Sequence, residues 1–177
     1  MTEESIKSLM VDVKSDVEFA QAISNSLVQE NTADLDELMR EIQNSIVNNP
    51  NKDDATIEYY LLQLTNALYF LNTRCENFAF YEDITKANAR LKYNEMYSEN
   101  QLLHAQDPKK PTQNDNQLYA ELNSVDENTI NIIYSRSVKI IKGKLDAASE
   151  MVRTLSKLLS VHMSNANSTS MARKLYE

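Results

Sequence analysis

The chain contains one Gly, three Pro, one Cys and no Trp among 177 residues, and each scarcity excludes something. With so little Gly and Pro there is almost no tight-turn chemistry, which argues against hairpin-rich sheets and Gly-rich phosphate loops. A lone cysteine permits no internal disulfide, and the start Met1, Thr2, Glu3, Glu4 is the reverse of a positively charged leader; both point to a reducing, cytoplasmic setting. The longest apolar stretch, around Tyr59 to Leu71, is interrupted by Gln63, Thr65 and Asn66. It falls short of the roughly 20 apolar residues a span requires, so no membrane is expected. His104 and His162 lie far apart, and neither has a second His or Cys at zinc-ligand spacing. Cys75 sits between Leu71 and Phe78 as a small buried hydrophobe with no base to activate it. The expectation is therefore no catalytic residue, no metal site and no cofactor, and a protein that acts by binding.

What the chain has instead is heptad spacing. Ile57, Leu61, Leu64, Leu68, Leu71, Cys75 and Phe78 step by four and three, and so do Tyr134, Val138, Ile141, Leu145, Ala148, Val152, Leu155 and Leu159. Such a stripe is narrow and is satisfied by another helix rather than a sheet. These two rows are read as a helix-pairing or oligomer seam. A third row, Ile6, Met10, Val13, Val17, Ala20, Ser24 and Leu27, opens the chain. Asn31, Thr32 and Asp34 then predict a break before a second short helix carrying Leu35, Leu38, Ile42 and Ile46, which ends near Pro50. Asp53 and Asp54 predict the N-terminus of a long helix from about Ala55 to about Ala105, roughly 75 Å in length. Its seam loses phase after Phe78 through Phe80, Ile84, Ala87 and Leu91, which implies local unwinding or a second contact surface. Asp107, Pro108, Lys109, Lys110 and Pro111 stop it, a short helix capped by Thr112 follows, and the capping-box pair Ser124 and Glu127 predicts a last helix from about Asp126 to about Met163. Gly143 falls inside that helix and marks either close helix approach or nothing.

The fold class is thus all-α, an elongated helical bundle with a central long antiparallel helical hairpin of coiled-coil type. Residues 1–50 form an acidic two-helix segment, 53–163 the hairpin with its loop at about 106–124, and 164–177 a polar tail. A homo-oligomer is expected, since lone heptad seams often pair between copies, although an ordinary monomeric helical bundle fits the seams equally well.

Charge is uneven along the chain. Residues 1–58 carry 4 Lys/Arg against 13 Asp/Glu, a balance of −9, whereas residues 129–177 carry 8 against 3, a balance of +5, within a net charge of −8. Lys86, Arg90, Lys92, Lys109 and Lys110 precede the hairpin loop, Arg136 and Lys139 follow it, and Tyr93, Tyr97 and Tyr119 lie among them. In a hairpin these seven cations gather toward one tip. Cations with interleaved aromatics suit single-stranded DNA, where phosphates meet charge and bases stack on rings. The competing reading is a solvated helix face, and the net negative charge opposes nucleic acid at long range.

The run Ala89, Arg90, Leu91, Lys92, Tyr93, Asn94, Glu95, Met96, Tyr97 at the end of a long helix, the Pro/Lys linker, the acidic start Val125, Asp126, Glu127 and a final seamed helix through Lys144, Leu145 and Arg153 together resemble the UvsY-type recombination mediators of tailed phages. The resemblance is one of layout over about residues 60–165. It implies a ring-forming helical protein in the bacterial host cytoplasm that binds single-stranded DNA and assists recombinase loading, with Lys86, Arg90, Lys92 and Tyr93 as DNA contacts and the last helix as oligomer interface. The acidic N-terminal 50 residues are additional to that layout and imply one of two roles for those helices, contact with a basic protein partner or shielding of the cationic patch until a partner displaces them. Two further classes fit the residues: a virion or scaffold component, and an acidic inhibitor that mimics DNA toward a nuclease or defence protein, with Asp12, Asp16, Glu18, Asp34, Asp36 and Glu37 as phosphate-like charge.

Overall fold

The computed structural model describes the backbone of residues 3–49 and 52–174 and the side chains of 17–49 and 52–164. Four α-helices account for nearly all of it: α1 (Glu3–Ile42), α2 (Asp54–Leu103), α3 (Gln113–Leu122) and α4 (Val125–Lys174), with a π-helical turn, Gln43–Val47, at the end of α1. No strand occurs among the described residues, and the fold is all-α. The rows Ile6, Met10 and Val13 fall outside the described side chains.

The chain divides into two compact units, Met1–Val28 with Glu76–Ile140, and Gln29–Cys75 with Ile141–Glu177. The second unit is a conventional heptad core. Leu35, Ile42 and Ile46 from α1 and its π turn, Ile57, Leu64, Leu71 and Cys75 from α2, and Ile141, Ala148 and Leu155 from α4 are buried. Each buried Leu or Ile contributes about 1.5–3 kcal/mol by leaving water. Ser45 meets the Tyr60 hydroxyl at 3.1 Å, and Arg74 Nη1 donates to the Asn31 carbonyl at 3.1 Å, so α1 and α2 run antiparallel. His162 Nδ1 lies 2.8 Å from Asp54 Oδ1 at the start of α2, while Lys144 reaches Thr32 and Asp36. α4 therefore runs antiparallel to α2 and parallel to α1, and the expected hairpin pairing is present in this unit. Of the seam residues, Ile57, Leu64, Leu71, Val138, Ile141 and Leu155 are buried, and Leu61, Leu68, Leu145, Val152 and Leu159 are half-buried at its edges.

The other unit has a different interior. Ala20, Ser24, Val28, Ala89, Met96, Asn100, Asn116, Ala120, Ser124, Ile133, Ser137 and Val138 fill it, seven of them apolar and five polar. The polar members are hydrogen-bonded: Ser24 Oγ and Ser137 Oγ both donate to the Ile133 carbonyl, at 3.0 and 2.8 Å, and Asn100 Nδ2 donates to Asn116 Oδ1 at 2.7 Å. Phe78 and Tyr81 pack on Tyr134 with ring centroids 6.0 and 5.6 Å apart.

Three expectations are corrected. α1 is continuous through Asn31–Asp34, because Thr32 is buried and its hydroxyl lies 2.9 Å from Lys144 Nζ. Tertiary partners satisfy the polar residue, and no helix end is needed. α4 does not stop near Met163 but continues to Lys174. Ser124 does not cap α4 with its side chain; the hydroxyl donates back to the Ala120 carbonyl at 2.8 Å. The capping box belongs to α3, where Thr112 Oγ1 accepts from Asp115 N and Asp115 Oδ2 accepts from Thr112 N.

Candidate nucleic-acid interface

α2 positions the candidate interface through three faces of one helix. Ala89, Met96 and Asn100 point into the unit and fix the helix rotation. At 3.6 residues per turn, Lys86, Arg90, Tyr93 and Tyr97, stepping four, three and four, share one flank. Lys86 and Arg90 are exposed, and Tyr93 and Tyr97 are half-buried. The two rings stack with centroids 6.4 Å apart and planes at 26°. Neither cation forms an ion pair among the described residues. The flank rises about 16 Å from Lys86 to Tyr97, enough for a few nucleotides of one strand. Chemically it offers two unpaired cations and a pair of parallel rings.

The remaining cations lie elsewhere. Lys92 is across the inward-facing line from Arg90 and is held by Glu95 at 3.2 Å. Lys109 and Lys110 are exposed in the loop after α2, about 25 Å along the helix axis from Lys86. Arg136 and Lys139 are exposed on α4, and Arg136 lines an apolar groove with Val17, Ala20 and Ile132. The expected gathering of seven cations at one tip is not present: long helices spread residues that lie near one another in sequence over tens of ångströms. Near the loop, Lys109 lowers the Asp115 carboxyl only as the last of several influences, the larger ones being hydrogen bonds from Thr112.

The acidic residues separate in the same way. Asp36 is tied to Lys144, while Asp34, Glu37 and Glu41 line a cleft of about 590 Å³ with Tyr59, Phe70 and Arg74. Among the described residues no group of His, Cys, Asp and Glu could hold a metal ion, and no helix is long and apolar enough to cross a membrane. Cys75 is buried. His104 pairs with Asp107 and His162 with Asp54, both partly exposed.

Sequence reasoning left Phe80, Ile84 and Leu91 between local unwinding and a second contact surface. They leave the 4-3 register of the Ile57–Phe78 row and point outward, whereas that register, continued through positions 82 and 85, reaches the buried Ala89 and Met96. The register of the seam is therefore unbroken, and the signal was the coexistence of two apolar phases beyond Phe78. In comparisons with known families, curated proteins and solved structures, nothing matches this chain.

Proposed function

We propose that this protein acts by binding single-stranded nucleic acid along the Lys86, Arg90, Tyr93 and Tyr97 flank of α2, as a non-enzymatic helper of recombinase loading on DNA. The observation that carries the reading is the stacked tyrosine pair continuing the line of two unpaired cations. Phosphates neutralise Lys86 and Arg90, and bases stack on the rings, each stacked base contributing about 1–3 kcal/mol. The layout resemblance to phage recombination mediators supports the same choice of ligand and supplies the recombinase part. Repulsion from the acidic N-terminal region is screened beyond about 10 Å at 0.1 M salt, so the flank works locally and at moderate ionic strength.

The test is fluorescence anisotropy of a labelled single-stranded oligonucleotide over a salt series. Two phosphate contacts give a log–log slope of about −1.4, and the double substitution Lys86→Glu with Arg90→Glu abolishes binding. Binding that is absent at low salt, or unchanged in the double variant, rejects the reading.

A structural component of a virion or scaffold is the second reading, favoured by the large apolar side chains that α2, α3 and α4 expose. Such a protein self-associates and ignores DNA. The DNA-mimic class is weaker, because Asp36 is engaged by Lys144; Asp12 and Asp16 lie outside the described side chains.

A further inference from the structure

In the unit formed by Gln29–Cys75 and Ile141–Glu177, the cleft of about 590 Å³ opens between the antiparallel α1 and α2, and no α4 residue lines it. Its floor is apolar, with Leu35 and Leu71 buried and Leu38 half-buried. Its α2 wall is aromatic: Tyr59 and Phe70 are 57% and 63% exposed. Its α1 rim is anionic. Asp34, Glu37 and Glu41 step three and four along one flank, a rise of about 10 Å. All three are exposed and have no cationic partner among the described residues. Arg74, which also lines the cleft, donates to the Asn31 carbonyl at 3.1 Å instead. Single exposed hydrophobes need no account, but two aromatics facing a row of unpaired carboxylates across an open groove do.

We infer that this groove receives a basic amphipathic helix of another protein, its apolar side chains seated among Tyr59, Phe70 and Leu38 and its Lys or Arg side chains paired with Asp34, Glu37 and Glu41. Shape gives the form of the occupant. A groove between two packed helices seats the ridge of a third, and Tyr59 to Phe70 spans about 16 Å of α2, three turns, which anchors at i, i+3 or i+4, and i+7 fill. Charge gives its sign. Like charges three and four residues apart repel and weaken the helix that carries them, and cations repeating at the same period relieve all three at once. Lys and Arg stems also cover apolar surface and set their charged ends against aromatic faces, so the two walls act on the same side chains. Thirteen residues line the cleft, about half of the 20–30 a side in a standard interface, and the complex is accordingly a transient one with Kd on the order of micromolar. Within the acidic N-terminal segment the role falls to positions 34–41. It uses none of Lys86, Arg90, Tyr93 and Tyr97 and stands or falls independently of nucleic-acid binding.

Fluorescence anisotropy on the full chain tests it. The probe is a labelled synthetic peptide of about 18 leucines and lysines at amphipathic-helix spacing, long enough to hold a helix, beside a second peptide of the same composition with that spacing scrambled. The helical peptide binds one to one at low salt and is released at high salt. Glu37→Lys with Glu41→Lys weakens it about tenfold or more and Phe70→Ala about fivefold, whereas Glu121→Lys with Asp146→Lys, an equal change of net charge, leaves it within about twofold. Glu121 and Asp146 are exposed and do not line the cleft. Equal binding of the scrambled peptide, equal weakening by the two charge reversals, or no effect of Phe70→Ala shows attraction to net charge alone and overturns the proposal. If the reversal at Glu37 and Glu41 lowers the helical circular dichroism, Glu37→Gln with Glu41→Gln replaces it and weakens binding in the same direction; undiminished binding there overturns the proposal as well. So does a wild type that ignores the peptide, and one that runs instead as a dimer in light scattering, dissolved by the reversal at Glu37 and Glu41, gives the groove to a second copy.

Discussion

At the scale of single residues, Gly143 and Thr112 show how far local chemistry could be read. Gly143 left two options open, and the structure decides for the plainer one: a Cβ built there meets nothing within 4 Å, so the residue marks no close approach. Gly143→Ala is expected to raise stability by about 1 kcal/mol, read from the urea midpoint at constant m-value. Thr112 was legible because capping is a property of a few adjacent residues. Thr112→Ala is expected to cost about 1 kcal/mol in the same assay. Asp115, its reciprocal partner, is held below its usual 3.8 chiefly by hydrogen bonds from Thr112, and Asp53 is lowered by its bonds from Thr56. Folding thus favours the charged forms of both. Their contribution is present above pH 3.8 and is lost as pH falls through the lowered values. An acid titration of helicity followed by circular dichroism should show the wild type losing more stability below pH 4 than Asp115→Asn does.

Helices as elements were readable in type and in most boundaries, because a 3.6-residue period shows wherever one face is buried. The start of α2 at Asp53 and Asp54 was visible for the same local reason as the α3 cap: Asp53 Oδ1 accepts from Thr56 N at 2.6 Å. The failures were tertiary. Asn31, Thr32 and Asp34 look like a helix end, and only the arrival of Lys144 from 112 positions away makes Thr32 a buried residue within a continuous helix. The rotation of α2 was legible by contrast, since the row that spacing selects, through Ile57, Leu64, Leu71 and Cys75, is the buried one. Leu64 and Leu62 measure the outcome two residues apart: the first is fully buried, the second 60% exposed. Leu64→Ala is expected to cost about 2–5 kcal/mol in a urea melt and Leu62→Ala less than about 0.5 kcal/mol. Equal losses would mean that the buried face of α2 has been assigned wrongly.

For the molecule as a whole, the all-α class followed from composition and period, and the candidate site was legible only in part. Lys86, Arg90 and Tyr93 do share a flank with Tyr97, because all four lie on one helix, where spacing determines the face. Lys92, Lys109, Lys110, Arg136 and Lys139 do not join them, because their placement depends on how separate elements run. The binding account therefore rests on one helix flank, and stacking is the part of it that charge cannot imitate. The direct measurement is the affinity of a labelled single-stranded oligonucleotide for the wild type, for Tyr93→Phe with Tyr97→Phe, and for Tyr93→Ala with Tyr97→Ala, at one low salt concentration. Base stacking predicts that the Phe pair binds like the wild type while the Ala pair loses about tenfold or more. Equal affinity for all three, or none in the wild type, would contradict it.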